Sequence, residues 1–394
     1  MNILVVSAVL PYPLHSGGQI RMYNLLKRLS SKHTITLVSF IRDEKERSYK
    51  NDLSFCEQVY MVNRGRAWQV PYIARALFTR MPFLLSTYAN AKMYRLLTKV
   101  LATKAFDLIH LEPFYVWPSI PNTRVPIVVS EHNIEYQVYE EYVRKRSFLP
   151  LRFLLMIDVS RLKRWEHYVW RKADMVTAVS QKDQRVMESY LSFPVSVVSN
   201  GVDTESFTFP KHKKEILQNF LFVGNFRWLP NIEAVERLLS DIWPRIAESF
   251  PKSTLTIVGR NMPENVLAAL TGRIIGKTDV SDIRDEYNAA FALLAPMTIA
   301  GGTKFKVLEA MASGVPVVST RAGVEGIDCE DEKHVLIANT PHEFVDKLAR
   351  LVSDHSHREK VVKAARTLVE REYNWDSIAK TLDTVWRTTH EKKR

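Results

Sequence analysis

The residues best suited to hold an anion stand together in "AGGTKFKVLEAM", residues 300 to 311. Gly301, Gly302 and Thr303 follow the strand-length apolar run "AFALLAP", and from Phe305 onward Leu308, Met311 and Ala312 share one helical face. A glycine-rich turn entering a helix presents backbone N–H groups at the positive end of the helix dipole, and Lys304 adds a full charge at the same place. Glu309 stands out for the opposite reason. It is a carboxylate beside the apolar face, followed by the small residues Ala310, Ala312 and Gly314. Alone, the segment would serve equally as a plain turn before a core helix, with Lys304 and Lys306 solvated.

The elements around it decide. The first half of the chain alternates Val- and Ile-rich runs ("NILVVSA", "TITLVSF", "FDLIHL", "VPIVVSEH", "ADMVTAVS", "VSVVSNG") with helical stretches. Such alternation implies a parallel sheet covered on both faces. It lapses in the lysine-rich "DTESFTFPKHKKEILQN" and resumes with "FLFVGN", "TLTIVGR", "RIIGK", "AFALLAP" and "VPVVST". The expected fold class is therefore α/β, with two doubly wound, Rossmann-like domains. Residues 1–203 form the first domain, 204–218 a linker, 219–372 the second domain, and 373–394 a C-terminal helix that packs back on the first domain. In that helix Trp375, Ile378, Leu382 and Trp386 fall in register. Ligands of such sheets bind beyond the carboxyl ends of the strands, so a crevice is expected in each domain and a cleft between them.

Bulk properties agree. A chain of 394 residues exceeds the ~250–300 at which one core stops growing. With 46% apolar and 25% charged residues, the composition is globular. Cys56 and Cys329 lie far apart without metal-ligand spacing, which suits a reducing compartment and excludes a disulfide scaffold. "MNILVVSAVLPYP" lacks a basic leader and is interrupted by prolines, so it reads as a core strand. No segment offers the ~18 uninterrupted apolar residues of a membrane span. The net charge of +12 attracts polyanions without choosing among nucleic acid, anionic lipid and phosphorylated substrates.

The order of motifs is more specific than any one of them. "PYPLHSGGQIR" after the first strand, "SNGVDTESF" at the junction, "FVGN" opening the second domain and "GGTKFKVLEAMASGVPVVST" near its end resemble the family 4 retaining glycosyltransferases of the GT-B fold over nearly the whole chain. In that family a Glu, seven residues and a second Glu frame the nucleotide-sugar site. The resemblance places Glu309 at the second position, where a carboxylate with two acceptor oxygens suits the ribose diol. Gly301 falls at the first, and the family's sugar-facing Glu is missing. An Arg and a Lys after the first strand of the second domain usually bind the phosphates. "FVGNFRWLPN" keeps Arg227 beside Asn225 but has no such lysine, so Lys304 becomes the compensating cation. Gly17 and Gly18 match the loop that approaches the donor phosphates or the acceptor, His132 the histidine facing the transferred sugar, and Glu112 a further cleft position.

The resemblance implies sugar transfer from a nucleoside diphosphate sugar to a glycan or lipid-linked acceptor, with retention, in cell-surface polysaccharide or lipopolysaccharide synthesis. His132, Lys304 and Arg227 would be catalytic. Gly17, Gly18, Asn225, Gly301, Gly302, Thr303, Lys304 and Glu309 would bind the donor. No metal or further cofactor is expected. Residues 64–104 and 143–172 interleave Arg and Lys with Trp, Phe, Leu and Tyr, a pattern suited to an anionic membrane surface, while no nucleic-acid module is present. The expected location is cytoplasmic, peripheral on the inner face of the plasma membrane. Two rival readings remain at this stage: a nucleotide-sugar binding protein whose catalysis lapsed with Gly301, and a nicotinamide dehydrogenase, for which "HSGGQIR" has the wrong glycine spacing.

Overall fold

A computed structural model of the chain describes residues 1–66, 68–146, 149–209, 218–278, 280–299 and 304–393. The chain divides into two compact units, Met1–Ser199 with Ile378–Arg394, and Asn200–Ser377.

Among the described residues, the first unit is built on seven parallel strands: β1 (Asn2–Ser7), β2 (Thr34–Ile41), β3 (Gln58–Asn63), β4 (Leu108–Glu112), β5 (Ile127–Ser130), β6 (Met175–Ala178) and β7 (Ser196–Val197). Their order is β3-β2-β1-β4-β5-β6-β7. β4, β5 and β6 are buried along their whole length, because helices cover both faces and leave no side of these strands to water. The order reverses between β1 and β4, where Ser7 pairs with Glu112. Helix Gly17–Leu29 follows β1, and the long helix Leu149–Lys172 precedes β6. The C-terminal helix Trp375–Lys393 joins this unit from Ile378 onward. Asp383 accepts from His33 Nε2 at 2.9 Å and Lys32 Nζ at 3.3 Å, and Lys393 Nζ reaches Asp174 at 2.8 Å. The apolar stripe read from the sequence is the buried face, with Leu382 and Trp386 fully enclosed.

Among its described residues, the second unit has six parallel strands: β8 (Asn219–Val223), β9 (Thr254–Val258), β10 (Ile274–Lys277), β11 (Ala292–Ala295), β12 (Val317–Ser319) and β13 (Leu336–Ile337). They run β10-β9-β8-β11-β12-β13, so the order reverses between β8 and β11. The unit begins earlier than the junction read from the sequence. Arg366 donates to the Thr204 carbonyl at 2.8 Å and also holds the Phe207 carbonyl, which fastens the start of the expected linker to this unit. Residues 210–217 of that linker lie outside the described residues.

The loops after β8 and β9 approach closely. Gly224 N–H donates to the Val258 carbonyl at 2.9 Å, and a Cβ added at Gly259 would stand 1.8 Å from the Gly224 oxygen. Both loops can hold this position only because residue 259 has no side chain. Gly259→Ala must push them apart and should cost ~1–3 kcal/mol, as over-packing does. Urea unfolding followed by tryptophan fluorescence measures this, and an unchanged midpoint would show that the loops yield freely.

Candidate functional site

In each unit the polar side chains singled out by the sequence gather where the strand order reverses, beyond the carboxyl ends of the strands. In the first unit Gly17 opens the helix that follows β1, Glu112 ends β4, and His132 stands two residues beyond β5. His132 Nε2 hydrogen-bonds to Glu112 Oε2. His110 Nε2 lies 3.2 Å from Glu112 Oε1, and Arg21 Nε, from the helix after β1, lies 3.9 Å from the same oxygen. Strand periodicity places His110 and Glu112 on one face. A Cβ added at Gly18 would meet His132 Cε1 at 3.0 Å and Nδ1 at 3.1 Å, so the imidazole edge packs against bare backbone.

The electrostatics follow from this packing. Burial alone would raise the Glu112 carboxyl, but His132, His110 and Arg21 outweigh it and hold it well below the usual carboxylate range. The loop that carries His132 is anchored by a second buried carboxylate. Glu166 accepts from the N–H groups of Glu135 and Tyr136 at 2.9 and 3.0 Å, at the start of helix Glu135–Arg146. Burial pushes Glu135 up to about 7, opposed by the neighbouring His132.

In the second unit Lys304 is the N-cap of helix Phe305–Ala312, beyond the end of β11. Lys306, inside the first turn, is buried. Its ammonium donates to Asn231 Oδ1 at 2.8 Å and lies 4.5 Å from the centroid of the Phe222 ring. Asn231 in turn donates to the Asn225 carbonyl at 2.9 Å, which ties this helix to the loop after β8. Arg227 is on that loop, exposed, with its N–H on Asn225 Oδ1 at 3.1 Å and its Nε on Asn261 Oδ1 at 3.2 Å. Glu309 Oε2 accepts from the Tyr287 hydroxyl at 2.8 Å, and burial raises its carboxyl against the opposing effects of Tyr287 and Lys306. Burial, reinforced by Lys304 and opposed by Glu309, lowers the Lys306 ammonium to about 7.

The structure thus brings Gly18, Glu112 and His132 into one cluster, with Gly17 adjoining it. Asn225 and Arg227 share the loop after β8, and Lys304 and Glu309 share the helix after β11. Gly301, Gly302 and Thr303 lie outside the described residues. Sequence reasoning gave Lys306 only a solvated role. That is corrected here: it is the enclosed cation of this helix. The overlooked signal was its position three residues before Glu309 and four before Ala310, on the side of the helix where small residues leave room. Arg21 and His110 lie inside the quoted segments "PYPLHSGGQIR" and "FDLIHL" but were given no role there. Among the described residues no group of three or more His, Cys, Asp or Glu side chains is placed to hold a metal ion.

Comparison with known proteins places these clusters in context. Residues 15–206 match the family model described as Glycosyltransferase Family 4, and residues 218–354 match that described as Glycosyl transferases group 1. The chain is 24% identical over 390 residues to an uncharacterized 44.6 kDa protein in the cps region of Klebsiella pneumoniae, covering 95% of this chain and 96% of that one. It is 26% identical over 273 residues to the lipopolysaccharide core biosynthesis mannosyltransferase LpsB of Rhizobium meliloti, covering 63% of this chain and 74% of that one. Among solved structures, the sucrose-phosphate synthase of Thermosynechococcus elongatus superposes with a TM-score of 0.74 over the full length of both chains at 17% identity. Anabaena Alr3699/HepE in complex with UDP-glucose superposes with a TM-score of 0.69 at 14% identity, covering 98% of this chain and all of that one.

The enclosed ammonium has a consequence for stability. Lys306 titrates at about 7 in the fold against an ordinary 10.5. Between those values the unfolded chain holds a proton that the folded chain lacks, so unfolding free energy rises with pH by up to ~1.4 kcal/mol per unit from this group. Lys306→Met should lose that increment between pH 7 and 9 in urea unfolding. Parallel pH dependences in the two proteins would return Lys306 to solvent.

Proposed function

Because the chain belongs to the family 4 glycosyltransferases of the GT-B type, we propose that it moves a sugar from a nucleoside diphosphate sugar to a glycan or lipid-linked hydroxyl with the anomeric configuration retained. In the net reaction the bond from the anomeric carbon to the diphosphate breaks and a bond to the acceptor oxygen forms. Nucleoside diphosphate and the hydroxyl proton are released. The observation that carries this reading is helix Phe305–Ala312, which sets Lys304 at its N-cap, Lys306 in its first turn and Glu309 in its second, beyond the end of β11. Lys304 at a helix N-terminus suits the diphosphate, whose charge grows as it departs. Groups aimed at that charge act more strongly on the transition state than on the bound donor.

The roles follow. Glu309 receives the ribose hydroxyls, Lys304 and Arg227 the phosphates, with Asn225 organising the loop that carries Arg227. Gly301, Gly302 and Thr303 would supply backbone donors, Gly17 and Gly18 approach the donor phosphates or the acceptor, and His132 receives the transferred sugar. Fixed cations and a helix N-terminus can carry the leaving-group charge without a metal ion. The UDP-glucose bound by HepE supports a nucleotide-sugar donor. The names of LpsB and of the Klebsiella cps-region protein support a cell-surface polysaccharide as the product.

An anionic membrane surface is the proposed second partner, from the cytoplasmic side. Among the described residues no helix is long and apolar enough to cross a membrane. The first unit does expose large apolar side chains, with Trp68 79%, Leu77 69%, Phe78 88% and Phe153 70% accessible. Arg161 binds the Ala76 carbonyl at 2.8 Å and so joins the helices that carry Phe78 and Phe153. Arg66, Arg80 and Arg152 flank these residues in sequence. Rings entering the interface with cations beside them match an anionic lipid surface.

Binding of UDP, GDP and their sugar conjugates to the full chain tests the donor site. Glu309→Ala should weaken the nucleotide that binds by ~1.5–3 kcal/mol, roughly ten- to a hundredfold in Kd. Unchanged affinity would remove Glu309 from the site, and donor hydrolysis without transfer to any glycan would favour a lapsed binding protein. Cosedimentation should show more binding to anionic than to neutral liposomes and release at 1 M salt, where screening shortens charge interactions to ~3 Å. Equal binding to the two lipids would overturn the membrane reading.

A further inference from the structure

Trp386 stands near the end of the chain and His132 far before it, yet a line of side chains connects them inside the first unit. Trp386 Nε1 donates to His110 Nδ1 at 3.2 Å, His110 Nε2 reaches Glu112 Oε1 at 3.2 Å, and Glu112 Oε2 holds His132 Nε2. An indole N–H can only donate. His110 Nδ1 must therefore be a bare lone pair, and the ring proton sits on Nε2, where it is given to Glu112. Glu112, with Arg21 beside it, stays ionised and only accepts, so His132 must present its own Nε2–H. The remaining edge of His132, with Nδ1, turns toward Gly18. In the neutral ring Nδ1 is then the acceptor nitrogen. The opposite tautomer of His110 would set two lone pairs against each other at Glu112 Oε1.

Burial makes the line selective. Trp386, His110 and Glu112 are at most 1% exposed, whereas the His132 side chain is 18% exposed. Water reaches only the end that meets a substrate and cannot replace a missing donor farther in. The C-terminal helix is held in register for this contact by Asp383 on His33 and by His390 Nδ1, which donates to the Asp107 carbonyl at 3.0 Å.

We propose that Trp386 and His110 are positioning residues which, acting through Glu112, fix the tautomer and orientation of His132. The proposal rests on the reading above that His132 receives the transferred sugar. It makes the C-terminal helix part of the site's machinery without contact to substrate. Trp386→Phe keeps a ring in place and deletes the N–H. His110→Leu deletes both functions of the imidazole. His110→Gln restores them, since its amide can donate to Glu112 while its carbonyl accepts from the indole.

Two measurements on the full chain separate the proposal from the functional reading beneath it. Long-range 1H–15N spectra of histidine-labelled protein should show His110 and His132 each protonated on Nε2. The His132 signals should move in Trp386→Phe and His110→Leu and return in His110→Gln. Turnover is measured with UDP-glucose first and then with the other nucleotide sugars of the binding panel. kcat should fall about tenfold or more in Trp386→Phe and in His110→Leu at unchanged donor KM, as for a misplaced catalytic group, and stand near the wild-type value in His110→Gln. Unmoved His132 signals in Trp386→Phe would overturn the relay. Moved signals with wild-type kcat would instead overturn the role of His132 in transfer. Should Trp386→Phe fail to fold, His110→Gln against His110→Leu decides the same question.

Discussion

Glu112 is a carboxylate almost removed from water, and an ion so placed survives only where cations and donors surround it. Its partners come from separate elements: Arg21 from the helix after β1, His110 from β4 itself, and His132 from the loop after β5. Satisfying one charge therefore aligns three segments at the point where strand order reverses. Arg21 extends the constraint by donating to the Ser199 carbonyl at 2.7 Å, at the far end of the unit's main span. Removing any one partner leaves the others facing an unmatched buried charge, so the geometry of this cluster is held more firmly than loops of its length would be by packing alone.

The second unit solves a related problem with the opposite sign. Lys306 is enclosed by Asn231 and Phe222, groups that accept a hydrogen bond or offer a ring face and carry no full negative charge. Glu309, which opposes the depression of its ammonium, also holds Tyr287. Glu112 has its charge matched within the fold. On the helix after β11, Lys304 and Lys306 repel each other, while Glu309 favours the Lys306 ammonium.

How much of this was legible beforehand depended on range along the chain. β1, β2, β5 and β11 could be read because strands buried on both faces leave unbroken apolar runs. β3 and β13 escaped notice as edge strands, the first with mixed burial and the second only two residues long. The glycine-lysine turn, Glu309 and His132 stood in a recognisable order of motifs. Lys306 did not stand out, because a lysine inside a helix ordinarily reaches water, and what encloses it lies seventy-five residues earlier at Asn231.

The sequence by itself determined the α/β class, the apolar face of the C-terminal helix and the segments that carry chemistry, since periodicity and turn chemistry are local properties of the chain. Only the tertiary structure decided which charges are buried and which side chains satisfy them. His110 and Trp386 meet across 276 positions, and neither carries a local pattern that names the other. The tautomer of a histidine and the enclosure of an ammonium depend on neighbours brought by the fold, because a hydrogen bond and a desolvated charge are set by distance in space.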